Sequence, residues 1–177
     1  FKVNNADKKI VKHKPPPPFK TSVYQQEAGK RFRISPKDAM RIAQKLYERG
    51  KITYHRTDTI RLSNVFIQNS KDFIINKYGN RYLSNYVKNF ESKNISVEKK
   101  KKKGVQNAHE AIRPTDVRKT FLTKDSYNNL EKKVYRMIWS RAVGSLMADE
   151  ICDKYSITIS FSDTQKYYFI ANYLLTT

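Results

Sequence analysis

A mainly helical body followed by antiparallel β-structure is the fold class this sequence predicts. Three observations carry that expectation. The segment from Ser35 to Gly50 has helical periodicity with start and stop residues at its ends. A second long apolar stripe at helical spacing runs from about Thr123 to Met147. After Glu150 the pattern alternates with a period of two, which is the period of a strand.

In order along the chain, residues 1–14 are polar and basic, with one apolar pair at Ile10-Val11, and Pro15 to Pro18 form a proline run. Such a run favours stiff polyproline II and reads as a linker or boundary. Ser35 is a natural N-cap, Pro36 suits the first helical position, and Asp38 complements the positive helix start. Ala39, Ile42, Ala43, Leu46 and Tyr47 recur at helical spacing, and Gly50 is a good stop. Lys51 to Arg56 leaves that helix in an extended or turning conformation. Ser63 is expected to cap a further helix whose buried side is Val65, Phe66, Phe73, Ile74 and Ile75, ended by Gly79-Asn80. Residues 84–108 lack a period and contain the run Lys99 to Lys103, which reads as a solvated surface insertion. Thr123 is expected to cap the long helix, with Tyr127, Leu130, Val134, Ile138 and Ala142 as its stripe, widened by Met137 and Trp139. Ile151 to Phe161 and Lys166 to Leu175 form a hairpin around a turn at Ser162 to Gln165.

The 177 residues suffice for one domain, or one domain and part of a second. The 36 basic and 16 acidic residues give a formal net charge of +20. Such a chain attracts polyanions. No stretch approaches the roughly 20 apolar residues of a membrane span, so nucleic acid is the expected partner and a membrane is not. The lone Cys152 and the lack of a signal peptide at Phe1 point to a reducing, intracellular compartment. Phe1 in place of Met, and an end at Thr177 inside an apolar run, lead to the expectation of a fragment.

Two segments could carry chemistry. In Gly50-Lys51-Ile52-Thr53-Tyr54-His55-Arg56-Thr57-Asp58-Thr59, a tyrosine hydroxyl with a pKa near 10 is a weak nucleophile. A nearby cation favours its phenolate and neutralises an attacked phosphate. In an extended strand Tyr54 and Arg56 point to the same side, and Asp58 could fix Arg56 through a bidentate pair. Spacing alone fits an ordinary surface strand better. In Ala108-His109-Glu110-Ala111-Ile112-Arg113-Pro114-Thr115, His109 and Arg113 share one face if the stretch is helical, and could hold a phosphate with Glu110 orienting one of them. A capped surface turn before Pro114 fits equally well. His109-Glu110 is no zinc motif, because the second histidine is absent.

Taken together and in this order, the two segments resemble the active-site signature and the second hallmark of type IA DNA topoisomerases. Pro17 to Ser22, Gln25 to Ala28 and Ala43 to Glu48 resemble the same family, so the likeness covers most of the chain. It leans toward the bacterial topoisomerase I branch, with His55 where that branch commonly has Met and topoisomerase III usually has Pro. The resemblance implies that Tyr54 is the nucleophile that forms a 5′-phosphotyrosine bond and that Arg56 positions it and the scissile phosphate. It implies that His109 contacts DNA near the cleavage site, that Glu48 and Asp58 support the site, and that Arg113 and Lys37 are phosphate or supporting contacts.

It also implies a helical, CAP-like gate domain over residues 17–148. Residues 1–16 and 149–177 would then belong to a β hinge domain, the latter as a truncated hairpin. The family's catalytic acid and Mg²⁺ ligands lie in a Toprim domain with an Asp-x-Asp-x-Glu pattern, which this chain lacks. The expectation is therefore a piece with the nucleophile but without the metal site, binding single-stranded DNA as a monomer and inactive alone. A non-catalytic basic module whose tyrosines stack on bases is the rival reading. A tyrosine recombinase or type IB enzyme is disfavoured, because Tyr54 precedes His109 and Arg113.

Overall fold

The structure, a computed structural model, describes residues 2–88, 109–123, 126–160 and 168–176. The chain forms two compact units, one of Phe1–Pro15 with Asp149–Thr177 and the other of Pro16–Ala148. The fold is mainly α with antiparallel β-structure, as the sequence predicts.

The first unit is a three-stranded antiparallel sheet in the order β1 (Lys2–His13), β2 (Glu150–Ser160), β3 (Tyr168–Thr176). β1 pairs with β2 from Lys2↔Ser160 to His13↔Glu150, with a bulge between Val3 and Asn5. β2 pairs with β3 from Cys152↔Thr176 to Ser160↔Tyr168. The predicted hairpin is therefore present as β2 and β3, while its turn at Ser162 to Gln165, and Phe161, lie outside the described residues. β1 is the surprise of the unit. Its pattern shows only Ile10-Val11, because most of its side chains face water, Ile10 included. It is held by the backbone ladder and by the Lys8–Asp153 ion pair at 2.8 Å.

The second unit contains α1 (Thr21–Phe32), α2 (Pro36–Glu48), α3 (Asn64–Tyr78), the single turn α4 (Asn85–Lys88) and α5 (Asn129–Gly144). α2 begins and ends as predicted. The Ser35 hydroxyl accepts from the Asp38 amide, Pro36 opens the helix, and Ala39, Ile42, Ala43 and Leu46 are buried. Tyr47 stays exposed, which matters below. α3 is capped by Ser63 and stopped by Gly79. Its buried face is Phe66, Ile67, Ser70 and Ile74; Val65, expected inside, is exposed because it lies about 100° around the helix from Phe66.

α5 starts later than predicted. Its cap is Asn128, not Thr123, in a capping box in which Asn128 accepts from the Glu131 amide and Glu131 accepts from the Asn128 amide. The expected stripe is nonetheless buried at Val134, Ile138 and Ala142, and Tyr127 is buried just ahead of the helix. Glu131 itself is buried, which would be costly for an unpaired carboxylate. Lys45 at 3.7 Å and Arg49 at 3.5 Å compensate it and tie α5 to the end of α2. Trp139 donates to the Val117 carbonyl at 2.7 Å, and the Tyr135 hydroxyl donates to the Lys119 carbonyl at 2.6 Å. Burial pushes the Tyr135 pKa up to about 12, so this bond persists across ordinary pH. The run Lys99 to Lys103 and Ala108 lie outside the described residues.

Candidate active site

The site is built where α2 ends. Gly50 adopts φ +64, which costs a glycine nothing. Its amide donates to the Tyr47 carbonyl, and the Lys51 amide donates to the Leu46 carbonyl, both at 2.8 Å. This pair of bonds is a Schellman termination, and it turns the chain sharply off the helix. Ile52 then enters the core and forms an antiparallel bridge with Pro114. The Thr53 amide donates to the Arg113 carbonyl at 2.9 Å, and its hydroxyl donates to the Ala111 carbonyl at 2.7 Å. The Thr115 amide and hydroxyl donate to the Lys51 and Gly50 carbonyls. The two motif segments, about 60 residues apart in sequence, are thus strapped side by side.

A second strap lies on the other side of Tyr54. The Thr21 amide donates to the Thr57 carbonyl at 2.9 Å. Its hydroxyl lies 2.8 Å from the His55 carbonyl and 3.0 Å from the Thr57 carbonyl, and accepts from the Thr57 amide at 2.8 Å. Thr21 serves this loop and not its own helix, whose start has no side-chain cap. Further along, the Ala111 amide donates to the Arg61 carbonyl and the Ile112 amide to the Phe19 carbonyl, each at 2.8 Å. Tyr54 is therefore held between two tethered stretches of backbone.

The Tyr54 side chain is 46% exposed, and its hydroxyl has no hydrogen-bond partner among the described residues. Its ring meets Tyr47 edge-on at 5.2 Å between centroids and His55 edge-on at 5.1 Å. Tyr47 and His55 are 6.1 Å apart, closing an aromatic triangle. His55 is 1% exposed, and its Nδ1 has no partner among the described residues. Burial, reinforced by the Arg56 charge and opposed by Glu48, holds its pKa below the usual histidine value. The imidazole is therefore kept neutral, a wall against which the phenol ring rests.

The remaining predicted residues separate into two groups. Arg56 and Glu48 both act on His55 electrostatically, which brings them into the site. Glu48 accepts from the Gln44 amide at 2.6 Å. Residues 51–58 are bent, not extended, and among the described residues neither hydrogen bond nor ion pair joins Arg56 to Asp58, so the expected pairing is not formed. Both side chains are exposed and open to an incoming ligand. His109 is likewise exposed and has no partner among the described residues, at the end of the segment strapped beside Thr53.

Arg113 behaves differently. The stretch 109–115 is not helical, so Arg113 shares no helix face with His109. Arg113 pairs with Glu110 at 2.6 Å, donates to the Pro114 carbonyl, approaches Ser63 Oγ at 3.4 Å and lies 4.7 Å over the Phe66 ring. It is a brace between the second motif and the start of α3. Lys37 is also apart, ten residues before Tyr47 on α2 and so about 15 Å away along the helix axis at 1.5 Å per residue.

Sequence reasoning did not assign roles to Thr21, Tyr47 or Thr53. Thr53 and Thr21 act through backbone partners that no residue spacing discloses. Tyr47 is the last apolar position of the α2 stripe and still faces water, a mismatch visible only once the helix is packed. Among the described residues no three His, Cys, Asp or Glu side chains come together in a way that could hold a metal ion. No helix among them is long and apolar enough to cross a membrane.

Known proteins resemble this chain along nearly its whole length. A family model described as DNA topoisomerase matches residues 1–174. A DNA topoisomerase 1 of Synechocystis sp. is 38% identical over 92% of this chain, which covers 17% of that protein. One from Rickettsia bellii is 38% identical over 97% of the chain, covering 22% of it. The structure of full-length topoisomerase I from Thermotoga maritima superposes with a TM-score of 0.76 over 99% of this chain and 28% of that one, at 31% identity. The chain therefore spans less than a quarter of the length of these curated relatives, and it belongs to the type IA DNA topoisomerase family, in the bacterial topoisomerase I-like branch.

Proposed function

We propose that this chain carries the nucleophile of a type IA topoisomerase that cleaves one DNA strand, passes a strand through the break and religates it, relaxing negative supercoils without ATP. The observation that carries the reading is Tyr54: an exposed phenol with an unengaged hydroxyl, on a loop tethered on both sides. In the cleavage step the Tyr54 oxygen forms a bond to phosphorus while the bond from phosphorus to the 3′-oxygen breaks. The strand keeps its 5′-phosphate on the tyrosine, and the proton lost by the phenol is balanced by one taken up at the 3′-oxygen. The aromatic triangle with Tyr47 and His55 presets the ring, which reduces the freedom lost on reaching the attacking geometry.

Arg56 stabilises the charge growing on the phosphate, and His109 contacts the strand beside it. Glu48 and Asp58 support these groups, Arg113 braces the second motif, and Lys37 meets the DNA backbone farther off. Residues 17–148 serve as the gate, and residues 1–16 and 149–177 belong to the hinge. The reading assigns Mg²⁺ and the proton donor to a Toprim domain of the longer protein, so no step here runs through the metal. Single-stranded DNA is the preferred partner, with phosphate attraction from the +20 charge providing most of the affinity.

The test is relaxation of supercoiled DNA. The chain alone should relax none. In the full-length enzyme carrying this segment, Tyr54→Phe should abolish relaxation with DNA binding nearly intact, since one oxygen is lost and the ring is kept. Arg56→Ala should slow cleavage about 10²–10³-fold. A Tyr54→Phe enzyme that still relaxes DNA would favour the non-catalytic binding module.

A further inference from the structure

A cleft of about 850 Å³ opens between α3 and the turn at residues 115–118. That volume is in the range of small-ligand sites, roughly 300–1,000 Å³. Neither Tyr54, Arg56 nor His109 lines it. Phe66, Phe73 and Val117 supply its apolar wall. Asn69, Asp72 and Asn76 line it from α3, and their spacing of three and four residues puts them on one helix face. None of these three side chains has a hydrogen-bond or ion-pair partner among the described residues. Two amides and a carboxylate thus face one cavity with their hydrogen-bonding capacity unused.

Cations and aromatics continue the same surface. Lys77 and Arg118 also line the cleft, Arg118 held by Asp116 at 3.2 Å. Lys77 lies 5.3 Å over the Phe73 ring and 5.7 Å over the Tyr78 ring. Phe73 meets Tyr78 at 6.2 Å, and Tyr78 meets Tyr82 at 6.4 Å. Arg81 covers Tyr82 at 4.7 Å, and both tyrosines are exposed. Exposed aromatic rings interleaved with cations are the usual platform for unpaired bases and their phosphates.

We propose that this cleft takes one unpaired nucleotide, guanine by preference, of a DNA strand running over Tyr78 and Tyr82. A planar base fits the apolar wall. The Asp72 carboxylate can accept both donors of a guanine Watson–Crick edge, and the two asparagine amides can satisfy the remaining polar edge atoms. Lys77 and Arg118 take the flanking phosphates. An unpaired carboxylate in a chain of net charge +20 is what a donor-rich base calls for and a bare phosphate would avoid. The inference uses the DNA-binding part of the reading above and none of its cleavage chemistry.

The experiment is amide NMR on this 20.9 kDa chain. It is titrated with a short guanine-containing oligodeoxynucleotide, with an oligothymidylate of equal length, and with dGMP. The Asn69 and Asn76 side-chain amides should shift with the guanine strand well before they shift with oligothymidylate. Replacing both with alanine should weaken that strand about tenfold, and Asp72→Asn should remove the guanine preference, the scale expected for one lost bidentate base contact. These positions face solvent on a helix, and unchanged circular dichroism confirms that the variants fold. Shifts confined to the Tyr54 and His109 region overturn this inference alone. No shift anywhere overturns it together with the DNA-binding reading. Cleft shifts with dGMP but none with the strand also overturn it, since the site would then serve a free nucleotide.

Discussion

Thr53 and Arg113 exchange two hydrogen bonds across 60 residues of sequence: the Thr53 amide donates to the Arg113 carbonyl, and the Arg113 amide donates to the Thr53 hydroxyl at 3.0 Å. The residue before the proposed nucleophile is therefore the clasp between the two motif segments. Thr53→Val keeps the shape and the backbone bond but removes the hydroxyl, leaving the Arg113 amide and the Ala111 carbonyl without that partner. The variant should lose about 1–2 kcal/mol of stability. Its Arg113 amide should exchange with solvent much faster than in the parent chain. Urea denaturation and hydrogen exchange measure both; unchanged protection at Arg113 would mean that the clasp is redundant.

His55 makes stability pH-dependent. Its folded pKa lies below the usual value of 6.5 because the ring is buried, with Arg56 adding to the effect. The unfolded chain therefore binds this proton more readily than the folded one. The stability from His55 is complete above about pH 6.5 and is lost as pH falls through the folded value. The melting temperature should drop between pH 7 and pH 5, and His55→Met should flatten that part of the profile. A wild-type profile no steeper than that of the variant would show that His55 is not the group responsible.

DNA binding should be governed by salt. Each single-strand phosphate neutralised contributes about −0.7 to the slope of log affinity against log salt. Contacts from Arg56, His109, Lys37 and neighbouring lysines should make that slope steeper than about −2. Fluorescence anisotropy with a labelled oligonucleotide measures it, and a flat dependence would mean that the charge of the chain is not what holds the strand.

What could be read in the sequence was what side-chain pattern encodes. α2 shows its cap, stripe and stop, and each is used as expected except at Tyr47, the last stripe position, which faces water. The hairpin of β2 and β3 is visible because its sequence alternates with the period of a strand. β1 was not legible, because its side chains are largely exposed and its order comes from a ladder with residues far ahead in the chain. α1 was equally silent: two buried residues and an uncapped start leave little periodic signal. At the site, Tyr54, Arg56 and His109 were singled out by their motifs. The clasp by Thr53, the tether by Thr21 and the ring of Tyr47 were not, because each depends on a partner that only folding brings near. The expected Arg56–Asp58 pair failed for a related reason, since it assumed an extended strand where the Schellman turn at Gly50 and the two tethers impose a bend.

The central claim is that Tyr54 is the residue that becomes bonded to DNA. The direct measurement is to trap the full-length enzyme carrying this segment on labelled single-stranded DNA, digest the adduct, and identify the modified peptide and its linkage by mass spectrometry. The account predicts one phosphodiester between the Tyr54 oxygen and the 5′-phosphate of the cleaved strand. A bond to any other tyrosine, or a 3′-phosphate linkage, would contradict it.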